Sequence, residues 1–155
     1  MASKNKPEVI FIDEIWTTKH INSIYRLFKG CAKLEAFPDL SKWNMRQVTS
    51  LRSVFEDCMS IKRLPQIEKW DTSNIDTFRD AFKGCKSLET LPDISRWNTS
   101  KVDDMYSMFE GCESLKELPD INRWDIKSLR LSENMFKDCK LIENKIPQKF
   151  KEVKN

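Results

Sequence analysis

The sequence predicts a right-handed α/β solenoid of five 27-residue units, with helices on one face and a short-stranded parallel sheet on the other. Three observations carry this expectation. Cysteines stand at Cys31, Cys58, Cys85, Cys112 and Cys139, each 27 residues after the last, and tryptophans at Trp16, Trp43, Trp70, Trp97 and Trp124 keep the same step. A fixed period in this range marks one supersecondary unit stacked on copies of itself, because a single unit cannot bury its apolar face alone. Within each unit the apolar spacing then changes from a helix-like to a strand-like rhythm, and connections this short leave little room for another topology.

The helix is placed in the first half of the unit. From Trp97, apolar residues fall at Val102, Met105, Met108, Phe109 and Cys112, the i, i+3, i+4, i+7 rhythm of one helix face. The residue after each Trp is Thr17, Asn44, Asp71, Asn98 or Asp125, which reads as an N-cap, and Gly30, Asp57, Gly84, Gly111 and Asp138 stand before the cysteines as stop signals. After the cysteine, Leu88, Leu91 and Ile94, and again Leu115, Leu118 and Ile121, give L-x-x-L spacing and predict a short extended segment. Pro38, Pro65, Pro92 and Pro119 each remove a ladder donor, so the strands are expected to span only three or four residues.

The string Met108-Phe109-Glu110-Gly111-Cys112-Glu113-Ser114-Leu115-Lys116-Glu117-Leu118-Pro119-Asp120-Ile121, followed by an Arg-Trp-Asp turn, resembles the BspA-like leucine-rich repeat of bacterial surface proteins and mycoplasma lipoproteins. The likeness spans about residues 16 to 142. It implies a leucine-rich-repeat-like solenoid and a surface or adhesion-like role, and it carries over no catalytic residues.

The whole chain, 1–155, reads as a single repeat domain: an N-terminal cap over 1–15, five repeats over 16–142, and a C-terminal cap with a basic tail over 143–155. Ile10 falls in the apolar register of Phe37 and Leu64, so Glu8 to Asp13 is expected to add a zeroth strand. The fifth unit departs from the pattern, with Ser132 in the slot of Phe78 and Met105 and with Ile146-Pro147 displaced by one residue. The tail from Gln148 is expected to lie across or beyond that last turn.

Charge narrows the function. The net charge of +3 resides wholly in the tail, where Lys145, Lys149, Lys151 and Lys154 face Glu152, and the first 144 residues are neutral. A basic stripe for nucleic acid is hard to build from a balanced body. The densest apolar run, Val9 to Ile12, is far short of the roughly 18 residues of a membrane span. The start has no signal-peptide core and the end no prenylation box, so the chain is expected to be intracellular, in the cytoplasm or in a particle assembled there.

Chemistry is given little to work with. The cysteines lack the close C-x-x-C pairing of zinc sites, and free, buried thiols in a reducing compartment are expected instead. His20, the only histidine, is tied to no nucleophile, Asp39, Asp93 and Asp120 suit turns, and three glycines cannot assemble a phosphate-cradling loop. No catalytic, cofactor or metal residues are assigned, and no small-molecule substrate is expected. The tryptophans are expected at corners and Phe28, Phe55, Phe82, Phe109 and Phe136 in the core. Function is then sought where units differ. Glu35, Lys62, Arg63, Glu89, Thr90, Lys116 and Glu117 lie between the apolar strand positions and form the candidate partner-binding sheet face. The expected function is a non-enzymatic protein–protein interaction or structural module in a larger assembly, and the alternative is a cell-surface adhesion protein.

Overall fold

The computed structural model describes residues 22–151. Trp16, Thr17, His20, the cap over 1–15 with its zeroth strand, and the end of the tail lie outside them. Successive 27-residue units stack in parallel, and a backbone ladder joins each to the next at alternate residues. In the third unit Phe78, Asp80, Phe82 and Gly84 donate their N–H groups to the carbonyls of Asp104, Tyr106, Met108 and Glu110, at 2.8 to 2.9 Å. Leu51, Ser53, Phe55 and Asp57 do the same to the third unit, and Met105, Ser107, Phe109 and Gly111 to the fifth.

The intervening N–H groups stay within the unit. Ala81 donates to Phe78, Lys83 to Asp80 and Cys85 to Phe82, each closing a four-residue turn. This run of turns occupies the place expected of a helix, and it corrects the α/β prediction. Two slots per unit forbid a helix: Arg26, Ser53, Asp80, Ser107 and Asn134 have φ between 52° and 58°, and Gly30, Asp57, Gly84, Gly111 and Asp138 have φ between 59° and 75°. A right-handed helix needs φ near −63° at every residue. Consecutive turns return the chain to the core every three to four residues, so their apolar spacing matches that of a helix face. Asn44, Asp71, Asn98 and Asp125 do accept backbone N–H groups, but from the residue two positions on, as Asx turns rather than helix caps.

The predicted parallel sheet is likewise absent among the described residues, which contain no strand. Pairing is limited to isolated parallel bridges, Ser50 to Thr77, Thr77 to Asp104, Asp104 to Leu131, and Arg63 to Thr90. The L-x-x-L segment makes only one bridge because it opens on a tight turn, Leu88 N–H to Cys85 O at 3.1 Å, and soon meets proline. Beyond Pro65, Pro92 and Pro119 comes a single 3-10 turn, Ile67–Lys69, Ile94–Arg96 and Ile121–Arg123. The only other regular elements described are a 3-10 segment, Lys140–Lys145, and one α-helical turn, Gln148–Lys151. The protein is a stack of turns and not a leucine-rich, sheet-faced solenoid.

Aromatic columns fill the stack. Phe28, Phe55, Phe82, Phe109 and Phe136 lie face to face with ring centroids 5.6, 5.7, 5.3 and 5.5 Å apart in turn. Each described tryptophan beyond the first spans two units at a corner: Trp70, Trp97 and Trp124 donate Nε1–H to the carbonyls of Leu40, Ile67 and Ile94 at 2.9 to 3.1 Å. None of the five cysteines forms a disulfide, and all but the half-buried Cys31 are buried. They also donate across units, Cys58, Cys85, Cys112 and Cys139 to the carbonyls of Phe28, Phe55, Phe82 and Phe109. Their slot thus satisfies a backbone acceptor as well as packing.

Candidate functional site

The stack brings the sequence-predicted face together as two adjoining columns, although on turns rather than on a sheet. Glu35, Lys62, Glu89 and Lys116 form one column, and Arg63, Thr90 and Glu117 the next. The backbone fixes their register: Glu89 N–H donates to Lys62 O at 3.0 Å and Lys116 N–H to Glu89 O at 3.1 Å. All seven are exposed except the half-buried Glu89. Lys116 Nζ lies 2.7 Å from Glu89 Oε2, and its hydrogen bond and charge hold the Glu89 carboxyl below the usual carboxylate range. Lys145 reaches Glu117 at 3.8 Å and donates to Lys116 O at 2.8 Å. Two open clefts indent this side, one bordered by Glu35, Ser60, Lys62 and Ser87, the other by Thr90, Asp93, Glu117 and Pro119.

A second charged column escaped the sequence reading. Lys29, Glu56, Lys83, Glu110 and Lys137 occupy one slot in successive units and alternate in sign. Lys29 meets Glu56 at 2.8 Å, Lys83 meets Glu110 at 3.1 Å, and Lys137 meets Glu110 at 3.3 Å. Burial works against the Lys83 ammonium, but the Glu110 hydrogen bond and the flanking carboxylates outweigh it and raise its pKa. Parallel stacking places identical slots in contact, where like charges repel. Alternation removes that repulsion, and the predicted face obeys the same rule, reading Glu35, Lys62, Glu89, Lys116 and Glu143. The signal was available by comparing residues 27 apart for sign instead of for identity.

Arg79 lies over the Tyr106 ring at 4.3 Å and reaches Asp104 at 3.4 Å, so the side of the turn run also couples neighbouring units through side chains. Other slots do not follow the sign rule: Lys42, Lys69, Arg96 and Arg123 form a basic column, and Asp76 stands next to Asp103, where burial followed by that neighbour's charge pushes its carboxyl above the usual range. Among the buried thiols the shifts run both ways, the hydrogen bond with Cys112 lowering Cys139 despite its burial. Burial drives the Cys85 pKa well up, and Cys112 is raised by its hydrogen bond with Cys139 and by burial. Among the described residues, no group of three or more His, Cys, Asp or Glu side chains is placed to hold a metal ion. No described helix is long and apolar enough to cross a membrane.

Comparison with known proteins gives one family. Its model, described as "Mycoplasma protein of unknown function, DUF285", matches residues 5–89 and again 61–155, two overlapping regions as a tandem repeat requires. No curated protein matches the chain, and no solved structure does.

Proposed function

The chain belongs to this Mycoplasma family, whose description assigns no activity, and we propose that it is a non-enzymatic module for protein–protein interaction, a small adaptor or minor structural component of a larger assembly. The observation that carries the reading is the division of labour between slots. Inward slots repeat and are consumed by the stack, whereas outward slots change from unit to unit and are held in register by backbone hydrogen bonds. Glu35, Lys62, Arg63, Glu89, Thr90, Lys116 and Glu117 thereby offer a mixed-sign pattern that suits one protein surface better than a uniformly charged polymer. On this face the alternation leaves no run of like charge along the stack, although the slot before each described tryptophan is basic throughout, at Lys42, Lys69, Arg96 and Arg123.

The test is affinity capture with the parent and with the Lys62→Glu/Lys116→Glu variant, both first checked for an unchanged melting temperature. The reading expects a stoichiometric protein partner retained by the parent and lost from the variant. Capture of nothing at stoichiometric level, or equal capture by both, would remove this face from the account.

Intracellular placement is part of the same proposal, and the free thiols support it. The second reading, a cell-surface adhesion protein, is favoured by the likeness to surface-protein repeats. Thiol labelling of the native source material separates the two: five free cysteines after denaturation accord with a reducing compartment, and disulfide-linked material accords with surface exposure.

A further inference from the structure

The last turn run has an open edge. In the second, third and fourth units the alternate N–H groups of the run are taken by the next unit's carbonyls, but those of Ser132, Asn134, Phe136 and Asp138 have no partner among the described residues. The unit's other amides in this run, Met135, Lys137 and Cys139, close their internal turns as elsewhere. The edge therefore has the conformation of a paired one and lacks only the chain that pairs. The described part of the C-terminal segment packs on side chains at this end and not on those amides. Phe150 packs edge-on against Trp124 and Phe136, at 6.2 and 6.1 Å, and Lys149 Nζ donates to the carbonyls of Asn122 and Trp124.

The side chains bordering the edge say what would fit. Lys137 and Lys140 stand in the slots of Lys83 and Lys86. In the third unit those lysines receive the acidic fourth turn, Lys83 at 3.1 Å from Glu110 and Lys86 at 3.4 Å from Glu113. The fifth unit's edge thus repeats the third unit's N–H groups and lysine slots, with the difference that Lys137 already meets Glu110 at 3.3 Å and Lys140 opens the 3-10 segment. A second copy of this chain is the wrong occupant. Head-to-tail stacking would set Lys137 against Lys29 and Glu143 against Glu35, because alternating columns of five units end on the charge with which they begin.

We propose that this edge is a docking site for an extended segment of a different protein bearing two carboxylates three residues apart, which adds a sixth turn whose carbonyls accept from the amides of Ser132, Asn134, Phe136 and Asp138 and whose carboxylates accept from Lys137 and Lys140. Pairing along an unsatisfied edge is an established mode of peptide recognition, with the backbone supplying affinity and side chains the choice of partner. The proposal rests on the reading of the chain as a protein-binding module and adds to it a place, a geometry and a partner chemistry.

The probe is a synthetic peptide of residues 103–115, the chain's own acidic turn, with Phe109→Ala because Phe150 already stands at the end of the phenylalanine column, and Cys112→Ser to keep it monomeric. Titrated into the full chain, it is expected to shift the amide resonances of Ser132, Asn134, Phe136 and Asp138 saturably. Lys140→Glu, chosen because Lys140 makes no ion pair among the described residues, is expected to weaken binding about tenfold, and a peptide carrying Glu113→Lys to recover it on that variant. The proposal is overturned by shifts centred elsewhere, by no saturable shift, by equal binding to parent and variant, or by a parent that self-associates through the same four amides. It fails separately from the broader reading: a captured partner lost with Lys62→Glu/Lys116→Glu but retained by Lys140→Glu leaves the module standing and removes the edge.

Discussion

Phe82 has no exposed surface and lies between the rings of Phe55 and Phe109, at 5.7 and 5.3 Å. Its neighbours are pinned by inter-unit hydrogen bonds, so the site has little freedom to collapse around a lost ring. Phe82→Ala is expected to destabilise the fold by about 3–5 kcal/mol, read from denaturant unfolding. A melting curve that stays with the parent's would place the ring outside the core. Asp76 tests the opposite sign. Its folded pKa is raised above the ordinary value of 3.8, first by burial and then by Asp103, so the ionised carboxylate opposes folding. That penalty is complete above the folded pKa and vanishes below the unfolded one. Asp76→Asn should therefore stabilise the protein at pH 7, with the gain lost as the pH falls through the raised folded pKa toward the ordinary 3.8. A stability difference that does not change between pH 7 and pH 3 would contradict the assignment. The residue scale was also the most legible: the spacing alone placed the phenylalanines, tryptophans and cysteines in their inward columns. It did not disclose that the thiols donate to carbonyls 30 positions earlier, because that bond depends on how neighbouring turns are offset.

At the scale of the element, the decisive feature is the pair of left-handed slots in each turn run. Gly84 and Gly111 occupy the same slot with φ of 71° and 75°, yet their surroundings differ. A methyl group on Gly84 would run into the Asp57 carboxyl, whereas one on Gly111 would meet Gly84 backbone at an ordinary 3.7 Å. Gly111→Ala should cost only the left-handed strain, about 1–2 kcal/mol, and Gly84→Ala more than that. Equal melting temperatures for the two variants would show that the turn geometry is wrong. Sequence reasoning missed these turns for a physical reason. The first left-handed slot is held by Arg26, Ser53, Asp80, Ser107 and Asn134, with no glycine to announce it, and the apolar spacing of successive turns coincides with that of a helix. A faint signal preceded it: Ser50, Thr77 and Asp104 each accept the N–H two residues on, at 3.2, 3.1 and 2.9 Å, a habit of turns rather than of helix interiors. The strand expectation failed because a three-residue apolar step curves the chain, and only two inter-unit bonds, such as Ser87 N–H to Met59 O and Glu89 N–H to Lys62 O, form before the proline.

For the whole molecule, the period was legible and the means of cohesion was not. Neighbouring units hold together through backbone N–H groups at alternate positions of a turn run, through tryptophan and thiol donors, and through charge columns that alternate in sign. None of these requires a helix or a sheet, so assigning elements first led to the wrong architecture from the right repeat. The candidate face was legible because its residues are the outward ones in a repeat whose inward slots are fixed. The open edge was not, because it consists of backbone groups whose pairing only the stack reveals. The central claim is that the turn run is bonded between units and not along a helix, and through-hydrogen-bond scalar couplings in a labelled sample test it most directly. The account expects the Phe82 amide nitrogen to couple to the carbonyl carbon of Met108, its partner at 2.9 Å, and the Ala81 nitrogen to that of Phe78. Coupling of Phe82 to Phe78, the i to i−4 bond of an α-helix, would contradict it.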